Sequence, residues 1–211
     1  DYPFQPPKVV LRTLDPYGNI RLNPNLYTNG KVCLSILNTW TGPKWTSCLN
    51  LSSVLLSIQS LLNNNPMHNE PGYENDNSTS SISYRNILVH ENISIAILNI
   101  LENIPNRFDN FMPIIRDHYI NNFHNLKNRL IPLINTYKEN TIEKMTSLFK
   151  LQIQYKYNYL LKKLLNIYNT FTEFSKIDEN ELYEEINKSA ILSKQDKDDI
   201  NIEIKNITEK K

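Results

Sequence analysis

The residues most suited to catalysis lie in one segment, Asn23 to Trp40, which reads NPNLYTNGKVCLSILNTW. Its cysteine, Cys33, follows Asn25 by eight residues. A cysteine thiolate attacks acyl groups well and holds them as reactive thioesters, and a side-chain amide can stabilise the oxyanion formed when an amine attacks. Taken singly, a cysteine is usually an apolar filler and an asparagine a turn residue, so the surrounding pattern must decide.

The order and spacing of this segment resemble the active-site region of ubiquitin-conjugating enzymes. In that family the Asn of a His-Pro-Asn tripeptide stands eight residues before the catalytic cysteine, as Asn25 does before Cys33. The stretch YPFQPPKV, Tyr2 to Val9, is similar to the family's proline-rich strand lead-in, and Trp45 takes the place of a tryptophan beyond the cysteine loop. The likeness covers about residues 1–130 and is strongest over residues 1–74.

Three further features resemble one subclass, the large hybrid conjugating enzyme/ligases that include the giant inhibitor-of-apoptosis ubiquitin ligase. The first is the NPN form of the tripeptide, with Asn23 in place of the usual His. The others are a lengthened loop from Trp40 to Trp45 and the sequence NEPGYE from Asn69 to Glu74.

The resemblance implies an acyl transfer in which Cys33 carries ubiquitin as a thioester and passes it to a substrate lysine. Asn25 would support the oxyanion or brace the surrounding loop, and Glu70, just before Pro71, would position the lysine. The chemistry requires that solvent reach the Cys33 sulfur and that the Asn25 amide face the same loop. The resemblance also implies four binding residues: Phe4, Leu34, Ser35 and Trp45.

The partners that the resemblance implies are ubiquitin, its activating enzyme, a substrate protein lysine and, in addition, ubiquitin ligases. No cofactor is implied. The four histidines show no metal-ligand spacing with either cysteine, so no zinc site is expected. The expected location is the cytoplasm or the nucleus. The bias towards Asn, Ile, Lys and Tyr favours an AT-rich genome, such as that of a giant virus or a protist; a viral origin would place the protein in the host cytoplasm.

Other interpretations stay open. Some relatives lack the cysteine and only present ubiquitin, so the chain could be a non-catalytic binding module. Glu70 could be a solvated loop charge. Residues from about 136 onward could form a helix-pairing interaction arm. Cys48 is interpreted as structural, and a disulfide between Cys33 and Cys48 is disfavoured because a secreted protein of this size usually carries more cysteines.

The elements that must position these residues are indicated by glycine and proline, which punctuate backbone structure. All four glycines and eight of the eleven prolines lie within the first 72 residues, which predicts a turn-rich beginning and a helical remainder. A short β-type run is expected at Val9 to Thr13. Asn50 is a good N-cap for a helix from Leu51 to about Leu62. Its apolar residues at helical spacing predict a buried stripe: Leu51, Val54, Leu55, Ile58, Leu61 and Leu62.

The remainder of the chain is expected to be helical, with Pro132 interrupting the pattern. Apolar periodicity and capping residues define the segments. They are helices at Ser83 to about Glu102, Phe108 to Asn125 and Tyr137 to Phe174, and two short capped segments that open at Asp178 and Ser193.

Together the resemblance and the pattern predict an α+β, UBC-like fold, with an antiparallel sheet flanked by helices, followed by a mainly helical C-terminal extension. The catalytic core is assigned to residues 1–135 and the extension to residues 136–211. Compared with the family, the chain begins at the third strand. A helix and two strands are therefore expected upstream of Asp1 in a longer reading frame, and without them the sheet would have an unpaired edge.

Composition disfavours two classes of partner. The net charge is +1 and charged residues make up 21% of the chain, so no global field favours nucleic acid or an anionic membrane. The apolar runs are also too short to span a bilayer.

Overall fold

The computed structural model describes residues 1–105, 107–172 and 176–208, with side chains described as far as residue 195. These residues form two compact units. The first holds residues 1–105 together with Ile142–Gln154, and the second holds Arg107–Thr141 and the chain from Tyr155 onward. The compact units thus divide the chain elsewhere than at residue 135, and the predicted domain boundary stays a prediction.

The first fifty residues are organised by turns and isolated β-bridges. The predicted strand at Val9 to Thr13 is reduced to one bridge, between Val10 and Lys31, which corrects that prediction. Leu11 N donates a hydrogen bond to Gly30 O at 2.8 Å. A Cβ on Gly30, whose φ is +86°, would lie 2.8 Å from the Leu11 carbonyl oxygen, so this close approach requires glycine.

Helix α1 spans Leu51–Leu61 and confirms the prediction of a helix there. Its N-terminus has a reciprocal cap, in which Asn50 Oδ1 accepts from Ser53 N at 3.1 Å and Ser53 Oγ accepts from Asn50 N at 3.4 Å. The buried stripe is narrower than expected. Positions 54, 58 and 61 face the core, whereas the side chains of Leu51, Leu55 and Leu62 are exposed because they lie on one flank of that stripe.

Helix α2 spans Thr79–Glu91 and continues as a π-helical stretch, Asn92–Asn99, and a final turn, Ile100–Glu102. This confirms the predicted helix, which begins four residues earlier than expected because the Ser78 side chain caps it by accepting from Ser81 N. Tyr84 is buried on the inner face of α2, and its hydroxyl donates to Arg21 O at 2.8 Å.

An antiparallel hairpin completes the first unit. Strand β1, Ile142–Lys144, pairs with β2, Gln152–Gln154, with Glu143 opposite Ile153. The predicted helix from Tyr137 to Phe174 is therefore wrong over these residues, and Phe174 lies outside the described part. Two left-handed residues, Asn140 at φ +64° and Lys150 at φ +49°, break the helical path. Buried and exposed residues then alternate through β2, as a half-buried strand requires.

The second unit is helical, with α3 at Met112–Thr136, α4 at Tyr157–Phe171 and α5 at Glu179–Thr208. Pro132 does not interrupt α3, which corrects the prediction. Leu130 and Ile131 are buried, so packing outweighs the lost backbone hydrogen bond. Helices α3 and α4 are joined by the Phe123 and Tyr168 rings, stacked with centroids 4.2 Å apart.

One continuous helix replaces the two capped segments predicted near the C-terminus. Asp178 Oδ1 accepts from Asn180 N at 2.6 Å and marks the start of α5, as predicted. Ser193 lies inside α5, where its hydroxyl donates to Ala190 O instead of capping a new helix. Across the described residues, no helix combines the length and apolar character needed to cross a membrane.

Candidate active site

The NPN tripeptide forms a buried turn anchored to the end of α1. Asn23 Oδ1 accepts a hydrogen bond from Asn25 N at 2.9 Å, and Asn23 Nδ2 donates to Leu61 O at 2.8 Å. Leu61 O also accepts from Asn69 Nδ2 at 2.8 Å. A buried helix-terminal carbonyl needs such partners. Asn23 therefore fixes the turn to the helix, which is a positioning role.

Asn25 and Cys33, the pair singled out by spacing, are joined directly. Cys33 N donates to Asn25 O at 2.8 Å, and Asn25 Nδ2 donates to Cys33 O at 2.9 Å. The amide therefore faces the cysteine loop, as expected, and in this structure it braces that loop. Asn25 Oδ1 is buried and accepts no hydrogen bond among the described residues.

The Cys33 side chain is 0% exposed, and its neighbours Val32 and Leu34 are buried with it. The expectation of a solvent-accessible sulfur is therefore wrong for this structure, because the cysteine loop turns inward. Both cysteines are free thiols. Cys48 is exposed, so it does not fill a core position and its interpretation as a structural residue is corrected.

Thr39, which no sequence pattern indicated, forms side-chain hydrogen bonds to the backbone of the residues on both sides of Cys33. Its Oγ1 donates to Val32 O at 2.7 Å and accepts from Leu34 N at 3.0 Å. The short 3₁₀ helix Ser35–Leu37 and the left-handed Asn38, with φ at +58°, turn the chain back. The Thr39 side chain can then reach the backbone of Val32 and Leu34. A threonine six residues beyond a cysteine carries no distinctive signal, so sequence could not identify it.

Glu70 lies apart from this pair as far as hydrogen bonds show. It follows a 3₁₀ helix, Pro66–Asn69, is half-buried, and its N donates to Met67 O at 3.0 Å. Within the described residues no hydrogen bond joins Glu70 to Asn25 or Cys33. Its charge also affects Tyr84. Burial raises the pKa of the Tyr84 hydroxyl well above its ordinary range, the positive charge of Arg21 opposes that rise, and the negative charge of Glu70 adds to it.

The four predicted binding residues divide by exposure. Phe4 is 79% exposed and Ser35 is half-buried, so their binding role stays a prediction. Leu34 and Trp45 belong to the apolar core, and their binding role also stays a prediction. Trp45 Nε1 donates to Pro3 O at 2.7 Å and so positions the segment that presents Phe4.

Throughout residues 1–105, 107–172 and 176–195, no group of three or more His, Cys, Asp and Glu side chains is placed to hold an ion. The site therefore consists of a buried thiol, a bracing amide and the hydrogen bonds that close the loop around them.

Comparison with known proteins connects this geometry to a family. The ubiquitin-conjugating enzyme family model matches residues 1–104. Ubiquitin-conjugating enzyme E2 Z of Xenopus tropicalis is 54% identical over 105 residues, which are 48% of this chain and 33% of that protein. The human E2 Z is 51% identical over 105 residues, 48% of this chain and 29% of that protein.

A hybrid relative is also similar, in line with the predicted subclass. The human dual E2 ubiquitin-conjugating enzyme/E3 ubiquitin-protein ligase BIRC6 is 43% identical over 126 residues, 56% of this chain and 3% of that protein. The chain thus spans about a third of the length of the E2 Z relatives it matches. The NPN turn, α1 and the paired Asn25 and Cys33 all lie within residues 1–104, the part of the chain that is similar to the ubiquitin-conjugating enzyme family.

Proposed function

We propose that this chain accepts ubiquitin as a thioester on Cys33 and transfers it to a substrate lysine. The observation that carries the proposal is the pair of hydrogen bonds between Asn25 and Cys33, 2.8 and 2.9 Å long, at the family's eight-residue spacing. The match of residues 1–104 to the ubiquitin-conjugating enzyme family model supports the reaction class.

The reaction is an exchange of acyl bonds in two steps. The Cys33 thiolate attacks the carbonyl carbon of the ubiquitin thioester on the activating enzyme, and that enzyme's thiolate leaves. A deprotonated lysine amine then attacks the new thioester, a C–N bond forms, the C–S bond breaks, and Cys33 leaves as thiolate. Thioester exchange is close to isoenergetic, so the acyl group stays activated until the amine arrives.

Asn25 and Glu70 are proposed in supporting roles. Asn25 Nδ2 braces the Cys33 carbonyl in the closed loop, and it would turn to the thioester oxygen when the loop opens. Glu70, half-buried at the end of its 3₁₀ helix, would position the incoming lysine and draw off its proton.

Burial of the Cys33 thiol adds a requirement to this proposal. A sulfur that is 0% exposed cannot meet a protein-bound thioester, so the loop between Asn25 and Thr39 must open before loading. The hydrogen bonds that hold it closed include those of Asn25 Nδ2, Cys33 N and Thr39 Oγ1, and Val32, Leu34 and Leu37 are buried in the core. Loading therefore requires a local unfolding of this segment that breaks these contacts.

The same burial favours a second candidate, a non-catalytic module that presents ubiquitin to a partner. In that case Cys33 would stay closed and ubiquitin would bind without a covalent bond. The proposed partners are otherwise shared: ubiquitin, the activating enzyme and, through the exposed Phe4, ubiquitin ligases. We propose the cytoplasm or nucleus as the location for either candidate.

A loading assay separates the two candidates. The chain is incubated with ubiquitin, activating enzyme and ATP, and in parallel with ubiquitin carrying a C-terminal thioester of a small thiol, which bypasses the activating enzyme. The proposal expects a reducible adduct that Cys33→Ala abolishes and the matched control Cys48→Ala retains. Ubiquitin binding without any adduct in either arm would favour the non-catalytic module.

A further inference from the structure

The hairpin formed by β1 and β2 lies beyond the family match, which ends at residue 104, yet it belongs to the same compact unit. Its turn presents Phe149 to the region around the NPN tripeptide. The Phe149 ring lies 5.2 Å from the Tyr84 ring, centroid to centroid, and 5.0 Å from Cζ of Arg21. Met145 and Leu151, on either side of the turn, are buried and hold the hairpin in place.

Arg21 lies over two aromatic rings. Its Cζ lies 3.6 Å from the centroid of the Tyr27 ring and 5.0 Å from that of the Phe149 ring. Arg21 Nε is buried and has no hydrogen-bond partner among the described residues. Tyr84 fixes the backbone at the same point, because its hydroxyl donates to Arg21 O.

The Arg21 guanidinium also contacts the NPN turn. Arg21 Nη2 donates to Pro24 O, the carbonyl that directly precedes Asn25. Tyr27, under the guanidinium, opens the next turn, because Gly30 N donates to its carbonyl and Tyr27 N donates to Lys31 O, each at 2.9 Å. Arg21 thus contacts the chain on both sides of Asn25, through a hydrogen bond to the Pro24 carbonyl before it and a ring contact with Tyr27 after it.

We propose that Phe149 is a positioning residue for the cysteine loop. Through its contact with the Arg21 guanidinium, it keeps that group on Pro24 O and on the Tyr27 ring, and the turn so held keeps the Asn25 amide on Cys33 O. The hairpin then helps to position the residues of the candidate active site. The consequence for ubiquitin transfer rests on the proposed function, whereas the positioning itself does not.

The test measures how fast the buried thiol becomes available. In a Cys48→Ser background Cys33 is the single remaining thiol, and its alkylation by iodoacetamide requires the loop to open. Phe149→Ala is expected to speed alkylation about tenfold, the factor that one cation–π contact supplies in an opening equilibrium. Leu148→Ala, on an exposed neighbour in the same turn, is the matched control and is expected to leave the rate unchanged.

Four further variants separate positioning from general loss of stability. Phe149→Tyr keeps the ring and is expected to restore the slow rate. Arg21→Ala is expected to speed alkylation at least as much as Phe149→Ala, and the double variant is expected to be no faster than Arg21→Ala alone, because both changes act on the same contacts. Leu98→Ala removes a buried side chain of the π-helical stretch, outside the hairpin and the cysteine loop, and it reports what instability alone does to the rate.

Three results would overturn the proposal. One is an alkylation rate in Phe149→Ala equal to that of Leu148→Ala. Another is a rate increase in Phe149→Ala that Leu98→Ala matches at equal thermal stability. The third is a rate increase in Phe149→Ala that adds fully to that of Arg21→Ala. Since alkylation needs no ubiquitin, failure of the loading assay would leave this test intact, and failure here would leave the Cys33 thioester untouched.

Discussion

Asn25 braces the cysteine loop through its hydrogen bond to Cys33 O, and the proposed function adds the role of oxyanion donor. Asn25→Asp keeps the shape but cannot donate, so we expect discharge of ubiquitin to free lysine to slow by roughly a hundredfold, the usual cost of losing an oxyanion donor. The measurement is single-turnover discharge after loading. Asn29→Ala, an exposed residue of the same loop, is the matched control. An unchanged discharge rate in Asn25→Asp would limit Asn25 to bracing.

Individual residues of the site were predictable where a local pattern carried them. The contact between Asn25 and Cys33 follows from an eight-residue spacing within one loop, which the motif encodes. Burial of Cys33 could not be predicted, because it depends on how distant segments cover the loop. Thr39 and Arg21 were missed for a similar reason: each acts by reaching back to backbone carbonyls, and no side-chain pattern marks such contacts.

Elements were predictable where a cap and an apolar stripe agree, as they do at Asn50 and α1. The hairpin Ile142–Gln154 was missed because each strand is three residues long, too short for alternation to stand out among flanking helical patterns. Pro132 was misjudged because burial of its neighbours outweighs the local penalty, and the sequence alone does not reveal that burial.

Helix α2 gives the first unit a pH dependence through Tyr84. Burial raises the pKa of Tyr84 above that of an unfolded tyrosine, so the native state keeps a proton that the unfolded state loses. The stability contribution is therefore fully present below about pH 10 and falls as the pH rises above it, by up to about 1.4 kcal/mol per pH unit.

The measurement is denaturant unfolding between pH 8 and pH 11, followed by tryptophan fluorescence. Trp40 and Trp45 are the two tryptophans of the chain and both lie in the first unit. Tyr84→Phe should lose free energy of unfolding less steeply with pH than the wild type. Equal slopes in the two proteins would show that Tyr84 titrates normally in the folded state.

At the scale of the whole molecule, the first unit is discontinuous in sequence. Met145, Leu151 and Ile153 are buried, although they lie about forty residues beyond the family match. A chain ending at residue 106 should therefore unfold at a lower denaturant concentration, because it lacks three buried apolar side chains worth roughly 2 kcal/mol each.

The matched control joins residues 1–106 to residues 142–154 through a flexible Gly/Ser linker. This chain should recover most of the lost stability, again followed by tryptophan fluorescence. If the shorter chain unfolds at the same denaturant concentration as the full chain, the hairpin contributes nothing to the unit, and its buried side chains are not part of the core.

The central claim, that Cys33 carries ubiquitin, is tested most directly by changing the sulfur to oxygen. Cys33→Ser replaces the thioester by an oxygen ester, which thiol reductants do not cleave. We expect the wild-type adduct to disappear on reduction and the Cys33→Ser adduct to survive reduction and be cleaved by hydroxide. A reducible adduct that persists in Cys33→Ser would place the acyl group on another residue and contradict this account.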